Sequence, residues 1–230
     1  MGLSQYTDAY GLKARTFPAV LCTLAGFGLV WYFLELDYGV PEFPWPKFIT
    51  GTLASAAILG LIAGLMQASG KFLVEKLMFN GKLAMPTVTL LVDEASTKLS
   101  SILRLKVVAK IKEDQNVDLP HLIAKHEDPN SIALRRDVEH CVAHMRESTR
   151  GDAFLLRENI QYGFWRNLAG GLVIISLLAL VLGLIMGTSW RSFTPLMAVL
   201  FVLGLVLLIT RRTAHEYAKR LFEAYTKSQD

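Results

Sequence analysis

The sequence predicts an all-α membrane protein with four transmembrane helices in two hairpins and a cytosolic helical domain inserted between spans 2 and 3. Hydrophobic residues make up 52% of the chain, more than in a typical soluble domain. They concentrate in four stretches, each near the length that crosses the hydrocarbon core of a bilayer. Of the 24 lysines and arginines, 22 lie outside the connectors that join the spans within each hairpin. By the positive-inside rule, both termini and the inserted domain face the cytosol.

The first hairpin covers residues 17–68 and follows a short cytosolic segment, residues 1–16. Its spans run from about Phe17 to Leu36 and from about Phe48 to Ala68. The connector between them is rich in proline and aromatic residues, which favours a stiff segment at the outer interface. The second span has small residues at fourfold spacing, which let helix backbones approach closely, so we expect helix packing or a pore seam there. The small residues are Gly51, Ser55, Gly60 and Gly64.

The inserted cytosolic domain covers residues 69–166. A helix is predicted from about Asp93 to Asp114, and a second helix after the capping residue Ser131, where apolar residues recur at helical spacing. The segment between them, from Asn116 to Pro129, is rich in helix breakers and predicts a loop. A further helix begins at Asp152 and is expected to continue into the third span.

The second hairpin covers residues 167–210. Its spans run from about Leu168 to Gly187 and from about Pro195 to Thr210, with a short outer turn from Thr188 to Thr194 between them. Residues 211–230 are predicted as a separate, mixed-charge cytosolic helix at the C-terminus.

A polar junction precedes the third span. Its aromatic residues suit the membrane interface, and its arginines suit the phosphate layer. Polar groups at that depth need partners, so we expect the junction to couple subunits or neighbouring helices. The coupling residues are Glu158, Asn159, Tyr162, Arg166 and Asn167.

The predicted spans contain almost no ionisable residues, which argues against a coupled transporter. A pore is still compatible with the sequence, because an oligomer can line one with small and hydroxyl residues. The candidate pore-lining residues are Thr50, Thr52, Ser55, Gln67 and Ser176.

The cytosolic segment is nearly balanced in charge, with fifteen basic and thirteen acidic residues between Gly70 and Leu168. This balance disfavours the binding of duplex nucleic acid by a broad basic patch. The regulators that remain compatible with the sequence are a nucleotide, an oligonucleotide and a cytosolic protein. The candidate ligand-binding donors are Arg104, Lys106, Arg135, Arg136 and Arg146.

Catalytic and metal signatures are weak. Arg135 and His140 form an Arg-x4-His pattern similar to the catalytic signature of HEPN ribonucleases, so a membrane-tethered ribonuclease is one alternative. His140 and His144 share a helical face beside Cys141, but no further ligand pattern accompanies them. Phosphate-loop, dinucleotide and hydrolase motifs are missing from the sequence. We therefore predict that the protein is not an enzyme and has no metal site and no cofactor. Cys22 and Cys141 are expected to be free thiols.

The junction carries a recognisable order of residues, Glu158-Asn159-x-x-Tyr162-Gly163-Phe164-x-Arg166-Asn167-Leu168. It resembles the signature of a group of uncharacterised bacterial four-span inner-membrane proteins, and the resemblance covers about residues 80–175. Trp165 stands where that group's pattern has an arginine, so one interfacial charge is missing. The chain is similar, more distantly, to the membrane-spanning effectors of anti-phage systems.

The resemblance and the architecture together predict a homo-oligomeric inner-membrane effector in antiviral defence, which self-associates in the lipid bilayer as an ion channel or pore gated by a signal at the cytosolic domain. The alternative is a non-conducting membrane sensor or scaffold that recruits a cytosolic partner.

Overall fold

The structure is a computed structural model that describes residues 10–38, 56–81, 83–93, 99–126, 128, 131–185 and 190–227. Helices account for 89% of it and no strand occurs in these ranges, which confirms the all-α class. In chain order the α-helices are α1 (Phe17–Tyr38), α2 (Ala56–Gly70), α3 (Pro86–Val92), α4 (Ser101–Gln115), α5 (Leu119–Lys125), α6 (Ile132–Ser148), α7 (Ala153–Ile185) and α8 (Trp190–Lys227). Short π-helical segments precede α1 at Gly11–Thr16 and follow α2 at Lys71–Met78.

Three helical segments of the described chain are long and apolar enough to cross a membrane. They are Gly11–Glu35, Ala153–Ile185 and Phe193–Lys227, and they overlap the predicted spans 1, 3 and 4. By length and composition they mark the chain as a membrane protein. The first part of predicted span 2 lies outside the described residues, and α2 covers its later part.

The chain forms two compact units. Unit 1 comprises Met1–Val74 and Gly163–Thr210, and unit 2 comprises Glu75–Tyr162 and Arg211–Asp230. Helices α7 and α8 therefore each contribute residues to both units.

In unit 1, mainly small residues are buried between the helices, whereas many large apolar side chains lie on the outside. Ala14 and Ala19 are fully buried, whereas Leu61, Ile185 and Phe201 are each at least 65% exposed. An apolar exterior of this kind is costly in water and favourable in lipid. The surface of unit 1 is thus consistent with the three membrane-crossing segments.

Unit 2 has a conventional hydrophobic core, to which α3, α4, α5, α6, the start of α7 and the end of α8 all contribute. The sequence predicted residues 211–230 as a separate helix, but six core residues come from α8 between Tyr217 and Tyr225. Large side chains that are fully buried in this core include Ile111, Leu119, Leu134, Met145, Leu221, Phe222 and Tyr225.

Proline begins two short helices that the sequence analysis did not predict. Asn80 and Gly81 have positive φ angles of 45° and 66° after the second π-helical segment, and α3 starts at Pro86. The expected loop from Asn116 to Pro129 is wrong in part, because it contains α5. Proline is tolerated in a first helical turn, where its missing N–H would be unpaired anyway, so Pro120 fits α5.

Other predicted boundaries are confirmed or corrected at single residues. Helix α6 follows Ser131, and α7 follows Asp152, whose Oδ1 accepts a hydrogen bond of 2.7 Å from the backbone N–H of Leu155. As predicted, α7 continues into the third span without a break. The outer turn does not extend to Thr194, because α8 is already helical from Trp190.

Candidate functional site

The first part of the polar junction belongs to unit 2. Glu158 and Asn159 are half-buried on α7, and Tyr162 is 5% exposed. The Tyr162 ring stacks on Tyr217 of α8, with ring centroids 6.3 Å apart and an interplanar angle of 17°. Within unit 2, this pair of rings joins the start of α7 to the C-terminal part of α8.

The second part of the junction belongs to unit 1, and its polar residues are buried. Arg166 is 7% exposed and Asn167 is 1% exposed. The Asn167 side-chain Nδ2 donates a hydrogen bond of 2.6 Å to the carbonyl oxygen of Ala14. Its Oδ1 accepts no hydrogen bond from the described residues. A buried amide oxygen costs free energy when it lacks a donor, so Asn167 Oδ1 can accept a further hydrogen bond at this position.

Glycines bring the backbones of α2 and α7 into direct contact next to this amide. A Cβ at Gly70 would collide with the carbonyl oxygen of Arg166, and a Cβ at Gly170 would collide with the carbonyl oxygen of Met66. Such close approach is possible only without side chains. The sequence signal was present as the Gly170-Gly171 pair after the junction, but helix packing was predicted at other glycines.

The glycines that were expected to pack are positioned differently. Gly60 and Gly64 on α2 are exposed, and an added Cβ at either would meet no described atom within 4 Å. Packing against another helix of the same chain is therefore not observed for them in the described part of the molecule. Gly51 and Ser55 lie outside the described residues.

The five basic residues proposed as ligand donors do not converge on one site. Arg104 donates hydrogen bonds to the carbonyl oxygens of Asp93 and Leu91 at the end of α3. Arg146 contacts Thr87 Oγ1 at 3.4 Å and forms an ion pair of 3.6 Å with Glu139. Lys106 and Arg136 are exposed on α4 and α6. Arg104 and Arg146 thus serve the packing of unit 2.

Arg135 alone among them lines a polar cavity of unit 2. The cavity has a volume of about 390 Å³. The Arg135 Nη1 donates a hydrogen bond of 3.0 Å to the carbonyl oxygen of Leu83. The polar lining residues are Thr89, Asp93, Arg135, Arg211 and His215.

Two of these lining residues come from α8 and were not identified from the sequence as ligand donors. Arg211 and His215 are four residues apart on one helical face, and His215 Nδ1 lies 2.8 Å from the carbonyl oxygen of Arg211. Because a carbonyl oxygen only accepts, Nδ1 carries the proton and donates this bond. An arginine pair directly after an apolar span was the available sequence signal, and it was interpreted only as the end of the span.

The histidines and the cysteine of α6 do not form a site with further ligands. His140 and His144 are exposed, whereas Cys141 is 3% exposed in the core of unit 2. Burial raises the pKa of the Cys141 thiol, and the nearby Asp137 carboxylate raises it further. Over the described ranges, no group of three or more His, Cys, Asp or Glu side chains could hold a metal ion.

Of the five candidate pore-lining residues, only Gln67 and Ser176 lie in the described part of the chain, and Gln67 is half-buried on α2. Ser176 on α7 is 8% exposed and donates a hydrogen bond of 2.8 Å to the carbonyl oxygen of Leu172. Thr50, Thr52 and Ser55 lie outside the described residues.

In the described part of the chain, the junction has buried polar side chains and the cavity of unit 2 gathers charged ones. Comparisons of the chain with protein-family models, curated proteins and solved structures found no match.

Proposed function

We propose that the protein is a homo-oligomeric bacterial inner-membrane effector in which a signal at the cytosolic unit gates a pore, with a role in anti-phage defence. In this proposal the chain crosses the membrane four times in two hairpins, with both termini and the inserted domain, residues 69–166, in the cytosol. Support comes from three apolar helical segments of spanning length and from the lysine and arginine distribution.

One observation carries the proposal: the helices that supply the last two spans also build the core of unit 2. Helix α7 contributes Leu155 to that core and then continues as an apolar segment to Ile185. Helix α8 is apolar from Pro195 to Ile209 and contributes Phe222 and Tyr225 to the same core. A ligand that changes the packing of unit 2 therefore acts on the helices that cross the membrane.

The junction residues are the proposed coupling elements. Glu158, Asn159 and Tyr162 lie in the part of α7 that belongs to unit 2, and Arg166 and Asn167 lie in the part that belongs to unit 1. The half-satisfied amide of Asn167 is suited to a change of partner, because a second conformation can satisfy Oδ1 at little cost.

A second candidate function, a non-conducting membrane sensor or scaffold, is favoured by the outer faces of the apolar helices. Between Leu177 and Ile185 on α7, and between Met197 and Ile209 on α8, every exposed side chain is apolar. Such faces suit lipid or helix packing and offer no polar wall to an aqueous path. This candidate predicts signalling without ion flux.

The first test is the native mass of the full chain in nanodiscs, followed by ion-flux recordings in liposomes. A closed ring of several subunits that conducts ions on stimulation supports the pore. A monomer or dimer, or a ring that never conducts, overturns the pore and leaves the sensor.

The junction is tested with Asn167→Ala and Asn159→Ala in the same assay. We expect both variants to insert and assemble but to lose gating, whereas Gln161→Ala, an exposed residue of the same helix, should gate normally. Normal gating in both asparagine variants would contradict the coupling role. Because loss of one hydrogen bond costs about 0.5–1.5 kcal/mol, the variants should remain folded.

A further inference from the structure

The polar cavity of unit 2 has the size and charge of a small-anion site. Its volume of about 390 Å³ falls in the range of roughly 300–1,000 Å³ that small-molecule sites occupy. Its charged lining residues are Arg135 and Arg211, which carry guanidinium groups, and Asp93, which carries a carboxylate. The lining therefore has a net positive charge even when His215 is neutral.

The two arginines are placed by separate elements and approach the same space. Arg135 comes from α6, and its bond to the carbonyl oxygen of Leu83 fixes the plane of its guanidinium group. Arg211 comes from α8. A guanidinium carries five N–H donors in a fork that matches the oxygens of phosphate, so a pair of them can hold one tetrahedral anion.

The remaining lining adds specificity. Phe79, Pro86 and Leu90 add apolar walls to the cavity, whereas Arg211 and Asp93 are exposed to solvent at its lining. The Nδ1–H bond of His215 leaves Nε2 as an acceptor in the neutral ring, which suits a ligand hydroxyl group. Asp93 offers a second acceptor on the same lining.

We infer that this cavity binds one phosphate group, held by Arg135 and Arg211 and flanked by His215. The phosphate can belong to a soluble molecule or to the headgroup of a phospholipid, since Arg211 directly follows the apolar segment of α8. In the gating scheme this group is the signal at the cytosolic unit, so its regulatory role rests on the proposed function, whereas its binding does not.

Binding is tested with the full chain, delipidated in a phosphate-free maltoside detergent. One arm titrates inorganic phosphate, and the other titrates a short-chain phosphatidylglycerol, each followed by the shift in thermal unfolding and by native mass spectrometry. Binding of both, or of inorganic phosphate alone, supports a soluble source. Binding of the lipid alone supports a headgroup. Binding of neither overturns the inference.

The variants Arg211→Gln and Arg135→Gln test the site itself. Because hydrogen bonds to charged groups contribute about 1.5–3 kcal/mol, each variant should weaken binding by about tenfold or more. Arg212→Gln and Arg136→Gln are matched controls, since both are exposed neighbours that do not line the cavity, and we expect changes below about twofold. If Arg211→Gln binds as tightly as the unchanged chain, the assignment is wrong.

Binding and gating are separable outcomes. If phosphate binds and the variants weaken its binding, but no ion flux follows, the pore hypothesis is wrong and the phosphate site is supported. If flux is gated normally in Arg211→Gln, the site is not the trigger.

Discussion

Asp118 links the start of α5 to the preceding helix, α4, through its two carboxylate oxygens. Its Oδ1 accepts a hydrogen bond from the backbone N–H of His121, and its Oδ2 lies 2.8 Å from the Lys112 ammonium on α4. The hydrogen bond from Lys112 and the bond from His121 lower the pKa of the Asp118 carboxyl group. The pair is exposed, so salt should screen it.

The Asp118 contacts predict a pH dependence with a defined sign. Because its folded-state pKa is below the unfolded value of about 3.9, its stabilising contribution is present above that pH and is lost as pH falls through the folded-state pKa. Asp118→Asn keeps an N-cap oxygen but removes this titration. We expect unfolding midpoints of the unchanged chain to fall more steeply on acidification than those of the variant.

The control for this measurement is Glu113→Gln, an exposed carboxylate on α4. It should leave the acid dependence close to that of the unchanged chain. Equal acid dependence in the unchanged chain and Asp118→Asn would show that the ion pair contributes no measurable stability.

Single residues also mark the limits of sequence reasoning in this chain. The order of polar residues at the junction identified Tyr162, Arg166 and Asn167, and all three are buried. The bond from Asn167 to Ala14 joins positions 153 residues apart, and no local pattern encodes it. The role of Arg211 and His215 at the cavity was missed for the same reason. Only the tertiary fold brings them to the same cavity as Arg135 of α6.

At the scale of elements, α6 begins after Ser131 as predicted, whereas the helix predicted from about Asp93 begins only at Ser101, as α4. Other errors occur at prolines and at charges. Pro120 lies in the segment that was interpreted as a breaker-rich loop, although it occupies the first turn of a helix. Arg211 and Arg212 were interpreted as the end of the helix that forms the fourth span. Charge does not stop a helix, however, and no glycine or proline occurs between Val206 and Lys227.

The contact between α2 and α7 predicts opposite effects for two Gly→Ala substitutions. At Gly170 the added methyl group collides with the backbone of Met66 and Gly70. We therefore expect the free energy of unfolding to fall by about 1–3 kcal/mol, or the helices to shift. At Gly60 the methyl group meets no described atom, so we expect no loss and a gain of up to about 1 kcal/mol from helix propensity.

Thermal unfolding of both variants in the same detergent measures this difference. A Gly170→Ala variant as stable as Gly60→Ala would contradict the close approach of α2 and α7. A loss at Gly60 would instead show that α2 packs there against another copy of the chain, as the small-residue pattern suggested.

At the scale of the whole molecule, unit 2 is built from two separate stretches of the chain. Residues 75–162 supply α3 to α6 and the start of α7, and residues 211–227 supply the end of α8. Removal of residues 213–230 would therefore delete part of a core, so a loss of function in that truncation cannot identify a recruitment surface.

Phe222→Ala tests the contribution of the second stretch. Phe222 is fully buried in the core, so we expect a loss of about 3–5 kcal/mol of unfolding free energy. Phe154→Ala is the matched control, because Phe154 is 63% exposed and the Arg220 guanidinium carbon lies 4.8 Å from its ring centroid. We expect Phe154→Ala to lower the free energy of unfolding by less than about 1 kcal/mol. Similar losses in urea titrations would contradict the role of α8 in the core.

The divided core has a consequence for synthesis of the protein. When Leu155 leaves the ribosome, the side chains that Phe222 and Tyr225 will cover have no partner yet. The intervening stretch of roughly 70 residues contains the apolar segments of α7 and α8, and translation at about 5–20 residues per second takes on the order of 10 s. During that interval the nascent chain presents an incomplete apolar surface to chaperones and proteases. Completion of the unit 2 core therefore requires that both α7 and α8 have been made.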